Sequence, residues 1–127
     1  MPSRSGRLTI AILAAVAVAL AGCGTAASPS PSWPAGAIVV TARNRTFDTK
    51  ELHFQSGVAA QLVLVNEDSD EHDIEIWTKE GSEGDQLAHS DLISRGSAVL
   101  PVGPLAPGTY YFVCGVHAQM HGTVIVN

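Results

Sequence analysis

The strongest limit on the fold of this chain comes from a series of short segments rich in β-branched and aromatic residues, with turn-forming residues between them. Segments of this length and spacing are typical of a β-sandwich, and the polar stretch 79–90 is expected to be a long connection with a helical turn. We predict an all-β fold, an antiparallel Greek-key β-sandwich of about seven to eight strands. The predicted strands are residues 37–43, 51–54, 59–66, 72–78, 97–102, 109–114 and 122–127.

The first 22 residues have the pattern of a secretory signal. Arg4 and Arg7 precede the apolar run 8–20, which is too short to span a membrane comfortably. The run leads into the sequence LAGC, which resembles the lipobox of bacterial lipoproteins and implies a diacylglycerol on Cys23. The alternative is an ordinary signal peptide with an incidental cysteine. We predict an extracytoplasmic protein, lipid-anchored to the bacterial cell membrane.

The residues after Cys23 are predicted to connect the lipid to a single folded domain. The stretch 24–36 is rich in Ser, Pro and Ala, carries no charge and has too few apolar residues to form a core, which indicates a flexible tether. The domain organisation is therefore a lipoprotein signal peptide at 1–22, the lipidated cysteine and tether at 23–36, and one folded domain at 37–127.

Charge limits the partners of the mature chain. Without the two arginines of the signal, five basic residues remain against twelve acidic ones, which gives a net charge of −7 with neutral histidines. This balance argues against nucleic acid and against adsorption to anionic lipid, and it favours a partner protein with a basic surface. We expect a monomer that is attached to the membrane through the lipid on Cys23.

The use of cysteine points to a role for Cys114. The chain has two cysteines, Cys23 and Cys114, whereas exported proteins normally use their cysteines in disulfides. If Cys23 carries lipid, Cys114 has no partner, and a free thiol in an oxidising compartment is a liability unless it is buried or bound to a metal. A small buried cysteine without a metal is the alternative for this residue taken alone.

The loop after Cys114 supplies further ligand types. Cys114, His117 and Met120 place a thiolate, an imidazole and a thioether at the spacing C-x2-H-x2-M. A thiolate with two imidazoles and a weakly bound methionine suits copper in electron-transfer sites, because it is acceptable to both Cu(I) and Cu(II). The second imidazole must come from elsewhere. His72 is the natural supplier, since alternation places it on the inward face of its strand with the isoleucines that follow.

These segments together resemble the cupredoxin family of type 1 blue copper proteins, with amicyanin-like and plastocyanin-like members, and the loop spacing is most similar to the amicyanins. The resemblance is carried by VNEDSDEHDI at 65–74, PGTYYFVC at 107–114 and the ligand loop that follows, and it covers residues 37–127. It implies one copper ion per chain, alternating between Cu(I) and Cu(II). The ligands that it implies are His72, Cys114 and His117, with Met120 as the weak axial one.

The resemblance also implies a supporting role for Asn66. This residue would tie the two ligand-bearing loops together, and its backbone N–H would point toward the sulfur of Cys114. The chain departs from the family at Asp73, where relatives usually have asparagine. A carboxylate at that position either lowers the reduction potential or merely faces water.

The remaining histidines and the acidic loop have their own interpretations. His121 competes with Met120 as the axial ligand, but adjacent side chains of a strand point to opposite sides, so one of the two faces the metal. His53 and His89 lack metal-ligand spacing and are predicted to lie at the surface. The acidic cluster at 68–73 superficially suggests calcium, but it lacks the glycine and terminal glutamate of an EF-hand loop, which favours a solvated loop.

Three functions are compatible with this pattern. The first is a one-electron carrier outside the cytoplasmic membrane, which exchanges electrons through His117 and docks its partners on an apolar patch of Gly115, Val116 and Ala118. The alternative is a copper-handling lipoprotein for delivery or buffering, suggested by the spare His121 and the acidic loop. A metal-free interaction sandwich is the third. We expect no enzymatic activity, because four protein ligands leave no open position for a substrate.

Overall fold

The computed structural model describes Gly24 and residues 31–127. The predicted signal peptide, Cys23 and residues 25–30 of the tether lie outside the described residues, so lipidation and the domain boundaries stay predictions. In the described part of the chain, no helix is long and apolar enough to cross a membrane.

Nine strands and one 3-10 turn form the regular structure of the described residues. The 3-10 turn, Glu80–Ser82, lies inside the stretch where the sequence predicts a helical turn. The strands are β1 (Ile38–Arg43), β2 (Thr46–Phe47), β3 (Glu51–Phe54), β4 (Ala60–Asn66), β5 (Glu75–Trp77), β6 (Gln86–His89), β7 (Gly96–Val102), β8 (Gly108–Cys114) and β9 (His117–Val126).

The strands form a four-stranded sheet of order β2-β1-β4-β7 and a five-stranded sheet of order β3-β9-β8-β5-β6. All seven predicted strands are present, and the structure adds the short strands β2 and β6. The predicted β-sandwich is confirmed, with one difference in strand direction. β1 pairs with β4, and β3 with β9, in parallel. The reason is that the chain crosses to the other sheet after β2, so β4 returns beside β1 in the same direction.

One hydrophobic core lies between the two sheets. Alternate side chains of each strand point into it, and the rings of Phe47 and Phe112 meet there with centroids 5.5 Å apart. Gly122 on β9 lies opposite Phe112 on β8, and a Cβ at this glycine would lie 2.5 Å from the Phe112 ring. The largest completely buried side chains are Phe112, Leu62, Leu64, Ile74, Ile76, Met120 and His72.

The predicted ligands His72, Cys114 and His117 lie where β8 ends and β9 begins. Cys114 is the last residue of β8 and His117 the first of β9, so a tight turn brings them together. His72 precedes β5, which pairs with β8, and its backbone N–H and carbonyl both bond to Ile93 at 3.0 Å. The isoleucines that follow His72 are completely buried, as the alternation predicts.

Candidate metal centre

Three of the predicted ligands converge at this end of the sandwich. Nδ1 of His72 and Nδ1 of His117 are 3.1 Å apart, and they lie 3.8 and 3.7 Å from the sulfur of Cys114. Within the described residues, this is the one group of three or more His, Cys, Asp or Glu side chains with ligand atoms close enough to share a metal ion. His72 and Cys114 are buried, whereas His117 is half-buried and reaches the surface.

The spacing and chemistry of these donor atoms fit one metal ion. A metal bound about 2.0 Å from nitrogen and about 2.3 Å from sulfur separates the two atoms by about 3.7 Å when the bonds are about 120° apart. The observed nitrogen-to-sulfur distances of 3.8 and 3.7 Å agree with that arrangement. A thiolate and two imidazoles form the trigonal set found at copper centres that transfer electrons.

The ring of His72 is oriented by a carboxylate on its far side. Its Nε2 lies 2.8 Å from Oδ2 of Asp68. The same carboxylate accepts the backbone N–H of Asn44 at 2.7 Å and that of Arg45 at 2.9 Å. The N–H of Arg45 is the largest cause that lowers the pKa of Asp68 from 3.8 to about 2, and Asn44 and His72 lower it further while burial opposes them. The carboxylate is therefore ionised at neutral pH.

Cys114 is the free cysteine of the described residues and is almost completely buried. Burial raises the pKa of its thiol, and the nearby carboxylate of Asp73 adds to the rise. The backbone N–H groups of Asp73 and Val116 lower this pKa, because N–H groups near the sulfur favour its charged form. A bound cation would favour the thiolate, which burial alone disfavours.

Met120 and His121 face opposite sides of β9. Met120 is completely buried in the core, whereas His121 is exposed and lines a surface cleft of about 190 Å³ together with Glu80. The inner side of the ligand loop thus holds the thioether, and axial coordination by Met120 stays a prediction. His53 and His89 are exposed, as the sequence predicts.

Asn66 has different contacts from those that the family resemblance implies. Its side-chain amide donates to the carbonyls of Asp70 at 2.8 Å and Ile93 at 2.7 Å, and its Oδ1 accepts the backbone N–H of Asp68 at 2.8 Å. These bonds join the loop before His72 to the segment at Ile93. These side-chain bonds of Asn66 therefore support the backbone of the first ligand segment.

The link between the two ligand segments is made by Asp73. Its Oδ1 accepts the backbone N–H of Gly115, which follows Cys114, at 2.6 Å. The residue that follows His72 thus joins the two ligand segments directly, and the supporting role of Asn66 stays a prediction. The signal for it in the sequence is the inward-outward alternation, which turns the Asp73 side chain away from the core and toward the neighbouring ligand loop.

The acidic loop is not a freely solvated cluster. Arg43 forms an ion pair with Glu67, and Nε of Arg45 lies 2.6 Å from Oδ2 of Asp70. The carboxylate of Asp68 is fully engaged by N–H donors. The sequence does not reveal these pairs, because the arginines precede the loop by more than twenty residues and meet it only through the pairing of β1 with β4.

The comparison with protein families decides the assignment of this fold. The sequence profile of the cupredoxin-like domain matches residues 11–126. The chain belongs to the cupredoxin family. This cupredoxin therefore has the fold that the sequence predicts, and within that fold His72, Cys114 and His117 lie close together. The search of the curated proteins found no match.

Solved structures agree with the assignment. Auracyanin A, described as a "blue" copper protein from Chloroflexus aurantiacus, is 18% identical with a TM-score of 0.63, and the match covers 72% of this chain and 98% of that one. Auracyanin from Roseiflexus castenholzii is 21% identical with a TM-score of 0.64, covering 72% and 97%. A reduced Cu(I) form of amicyanin is 25% identical with a TM-score of 0.58, covering 75% and 86%.

Proposed function

We propose that this cupredoxin binds one copper ion and carries single electrons between partner proteins. The observation that carries the proposal is the convergence of two imidazole nitrogens and one sulfur at distances of 3.1, 3.7 and 3.8 Å. When bound, the copper would supply a one-electron couple between Cu(I) and Cu(II). The residues that would hold it are His72, Cys114, His117 and, as the weak axial ligand, Met120.

The protein holds the proposed copper ligands in place and exposes one of them, His117, at the surface. His72 is held by its backbone bonds to Ile93 and its ring contact to Asp68, and Cys114 is fixed at the end of β8. Because the fold holds these donor atoms in place, the coordination geometry would change little between Cu(I) and Cu(II). His117 is half-buried, so its ring edge is the proposed route for the electron.

The docking site for redox partners is proposed to surround His117. Val116 is 52% exposed, and Gly115 and Ala118 beside it are also exposed, which makes a small apolar patch next to the ligand. A partner that covers this patch comes within contact of the His117 ring. Small apolar surfaces suit brief contacts between redox proteins, because such interfaces are at the low end of interface size.

We further propose that the domain works outside the cytoplasmic membrane, attached by lipid on Cys23. The support is the charged start, the apolar run 8–20 and the sequence LAGC that follows it. Cys23→Ala should move the protein from the membrane fraction to the soluble extracytoplasmic fraction without changing its spectrum. A protein that stays with the membrane after this change would contradict lipid anchoring at Cys23.

Copper delivery is the weaker alternative for this chain. It is based on His121 and on the acidic loop as extra copper-binding groups. His121 is exposed on the side of β9 opposite the buried Met120, and Glu67 and Asp70 are paired with arginines. Rapid transfer of Cu(I) to an acceptor protein would favour delivery, whereas copper that stays bound during electron exchange supports the carrier function.

The test of the proposal is a copper titration of the purified domain. We expect one Cu(II) per chain, an intense visible absorption from thiolate-to-copper charge transfer, an electron paramagnetic spectrum of a type 1 site and a reversible one-electron wave. Cys114→Ser should remove the colour, because the described domain has no other cysteine to replace the thiolate. A colourless copper-loaded wild-type protein would refute the proposal.

The docking site has a matched pair of variants. Val116→Ser should slow electron exchange with a partner, since it makes the patch beside His117 polar. Val58→Ser is the control, because Val58 is 48% exposed, close to the 52% of Val116, but lies in the loop between β3 and β4, near the carboxyl end of β9 and far from its start at His117. Equal rates for the two variants would place docking elsewhere.

A further inference from the structure

The two-residue turn between β1 and β2 contacts the metal centre through one side chain, that of Asp68. Its Oδ1 accepts the backbone N–H of Asn44 at 2.7 Å. Its Oδ2 accepts the backbone N–H of Arg45 at 2.9 Å and lies 2.8 Å from Nε2 of His72. Three N–H groups from two separate parts of the chain thus meet at one carboxylate.

The turn is shaped to present both amides to this carboxylate. Asn44 and Arg45 have φ values of 53° and 55°, in the left-handed region, which is the conformation of both central residues in a tight two-residue hairpin. The flanking residues Arg43 and Thr46 pair with each other across the hairpin. Two successive N–H groups therefore point the same way, and their fixed position holds the carboxylate of Asp68 in turn.

The carboxylate decides which nitrogen of His72 carries the proton. Both oxygens of the Asp68 carboxylate already accept a backbone N–H, which is the arrangement of a carboxylate without a proton, so Nε2 of His72 is the donor in their contact. A neutral imidazole with its proton on Nε2 has a free lone pair on Nδ1, and Nδ1 is the atom that lies 3.8 Å from the sulfur of Cys114. The contact thus prepares Nδ1 to bind a metal before the metal arrives.

We propose that Asp68 is a positioning residue for copper, which couples the β1–β2 turn to His72 and fixes that imidazole with Nδ1 unprotonated toward the metal. The inference rests on the proposed copper site. It also explains why a carboxylate is required. Asparagine has one acceptor oxygen, so its NH₂ group must face at least one of the three N–H donors, of Asn44, Arg45 or His72.

The first test reads the His72 ring in the metal-free wild-type protein. Nitrogen-15 NMR at a pH where the imidazole is neutral should find the proton on Nε2 and an unprotonated Nδ1 at His72. A His72 ring protonated mainly on Nδ1 would overturn the proposal. This test needs neither copper nor a variant, so it stands even if Asp68→Asn does not fold.

The second test compares Asp68→Asn with Asp70→Asn. Both remove one negative charge from the same loop, but Asp70 contacts Arg45 and not His72. We expect Asp68→Asn to weaken Cu(II) binding roughly 10- to 100-fold, as for other partners of metal-ligating histidines, and to raise the reduction potential. Asp70→Asn should bind Cu(II) like the wild type. A folded Asp68→Asn protein with wild-type affinity and potential would overturn the proposal.

The two tests separate this inference from the proposed function. A wild-type protein without thiolate-to-copper absorption would refute the electron-carrier proposal, while the tautomer of His72 would still be measured in the absence of metal. Conversely, a blue wild-type protein whose colour, affinity and potential are unchanged by Asp68→Asn would leave the carrier function intact and refute the role of Asp68 alone.

Discussion

The carboxylate of Asp73 accepts a hydrogen bond from the backbone N–H of Gly115, with 2.6 Å between nitrogen and Oδ1. Asp73 follows the predicted ligand His72, and Gly115 follows the predicted ligand Cys114, so this bond joins the two segments that carry the buried candidate ligands. Burial raises the pKa of the Cys114 thiol, and the carboxylate of Asp73 adds to the rise. Asp73 therefore both joins the two segments and adds negative charge beside the sulfur.

Asp73→Asn should keep copper and blue colour while it raises the reduction potential. The amide oxygen can still accept the bond from Gly115, but the negative charge that favours Cu(II) is lost. An interaction of about 1.4 kcal/mol corresponds to about 59 mV for one electron, so we expect a shift of tens of millivolts. Voltammetry measures it, with Glu71→Gln, an exposed carboxylate on the other side of His72, as the control. Equal potentials in all three proteins would contradict the prediction.

Met120→Leu should bind copper and stay blue with a raised reduction potential. The thioether is the proposed weak axial donor, so its loss should remove electron donation that favours Cu(II), while leucine fills a similar buried volume. His121→Ala should change neither spectrum nor potential, because His121 is exposed on the opposite side of β9. Visible spectra and voltammetry of both variants check this. A strong shift in His121→Ala with a silent Met120→Leu would reassign the axial role.

Gly122→Ala should destabilise the fold by about 1–3 kcal/mol, as expected for overpacking. A Cβ at Gly122 would lie 2.5 Å from both the Phe112 ring and the carbonyl oxygen of Lys50. Gly103→Ala is the control, because a Cβ at Gly103 meets no atom within 4 Å. Urea unfolding of the two variants gives the difference, and similar losses of stability would show that the contact with Phe112 relaxes freely.

The stability of the metal-free domain should fall as the pH is lowered from about 4 to about 2. The pKa of Asp68 is lowered from 3.8 to about 2 by its N–H donors, so the ionised carboxylate stabilises the folded state above pH 4, and this contribution is lost as the pH falls through the folded pKa. The gap in unfolding free energy between wild type and Asp68→Asn should therefore shrink over this range. A gap that stays constant in urea titrations at each pH would contradict it.

Electron exchange with a partner should slow as the salt concentration rises. Residues 23–127 carry a net charge of −7 with neutral histidines, which favours a partner with a basic docking surface. Glu67 is paired with Arg43, and Asp70 with Arg45. These ion pairs reduce the contribution of the acidic loop to the attraction between the two proteins. Stopped-flow rates with a positively charged redox protein measure the effect. A rate that is flat or increases between low and high ionic strength would contradict it.

The sequence by itself determined which segments form strands and which side chains are candidate metal ligands. Period-two alternation is a local property, so it placed His72 inward and Asp73 outward and separated Met120 from His121 without knowledge of the rest of the fold. The spacing from Cys114 to Met120 is likewise contained in one short loop. These features were predictable because neighbours along the chain decide them.

The tertiary structure decided which parts of the chain support those ligands. The parallel pairing of β1 with β4 brings the β1–β2 turn to the loop before His72, and there Asp68 meets amides more than twenty residues away along the chain. The same packing pairs the acidic loop with arginines and gives Asp73, not Asn66, the bond to Gly115. Such contacts depend on how the strands pair over long separations, and no local pattern of residues encodes that pairing.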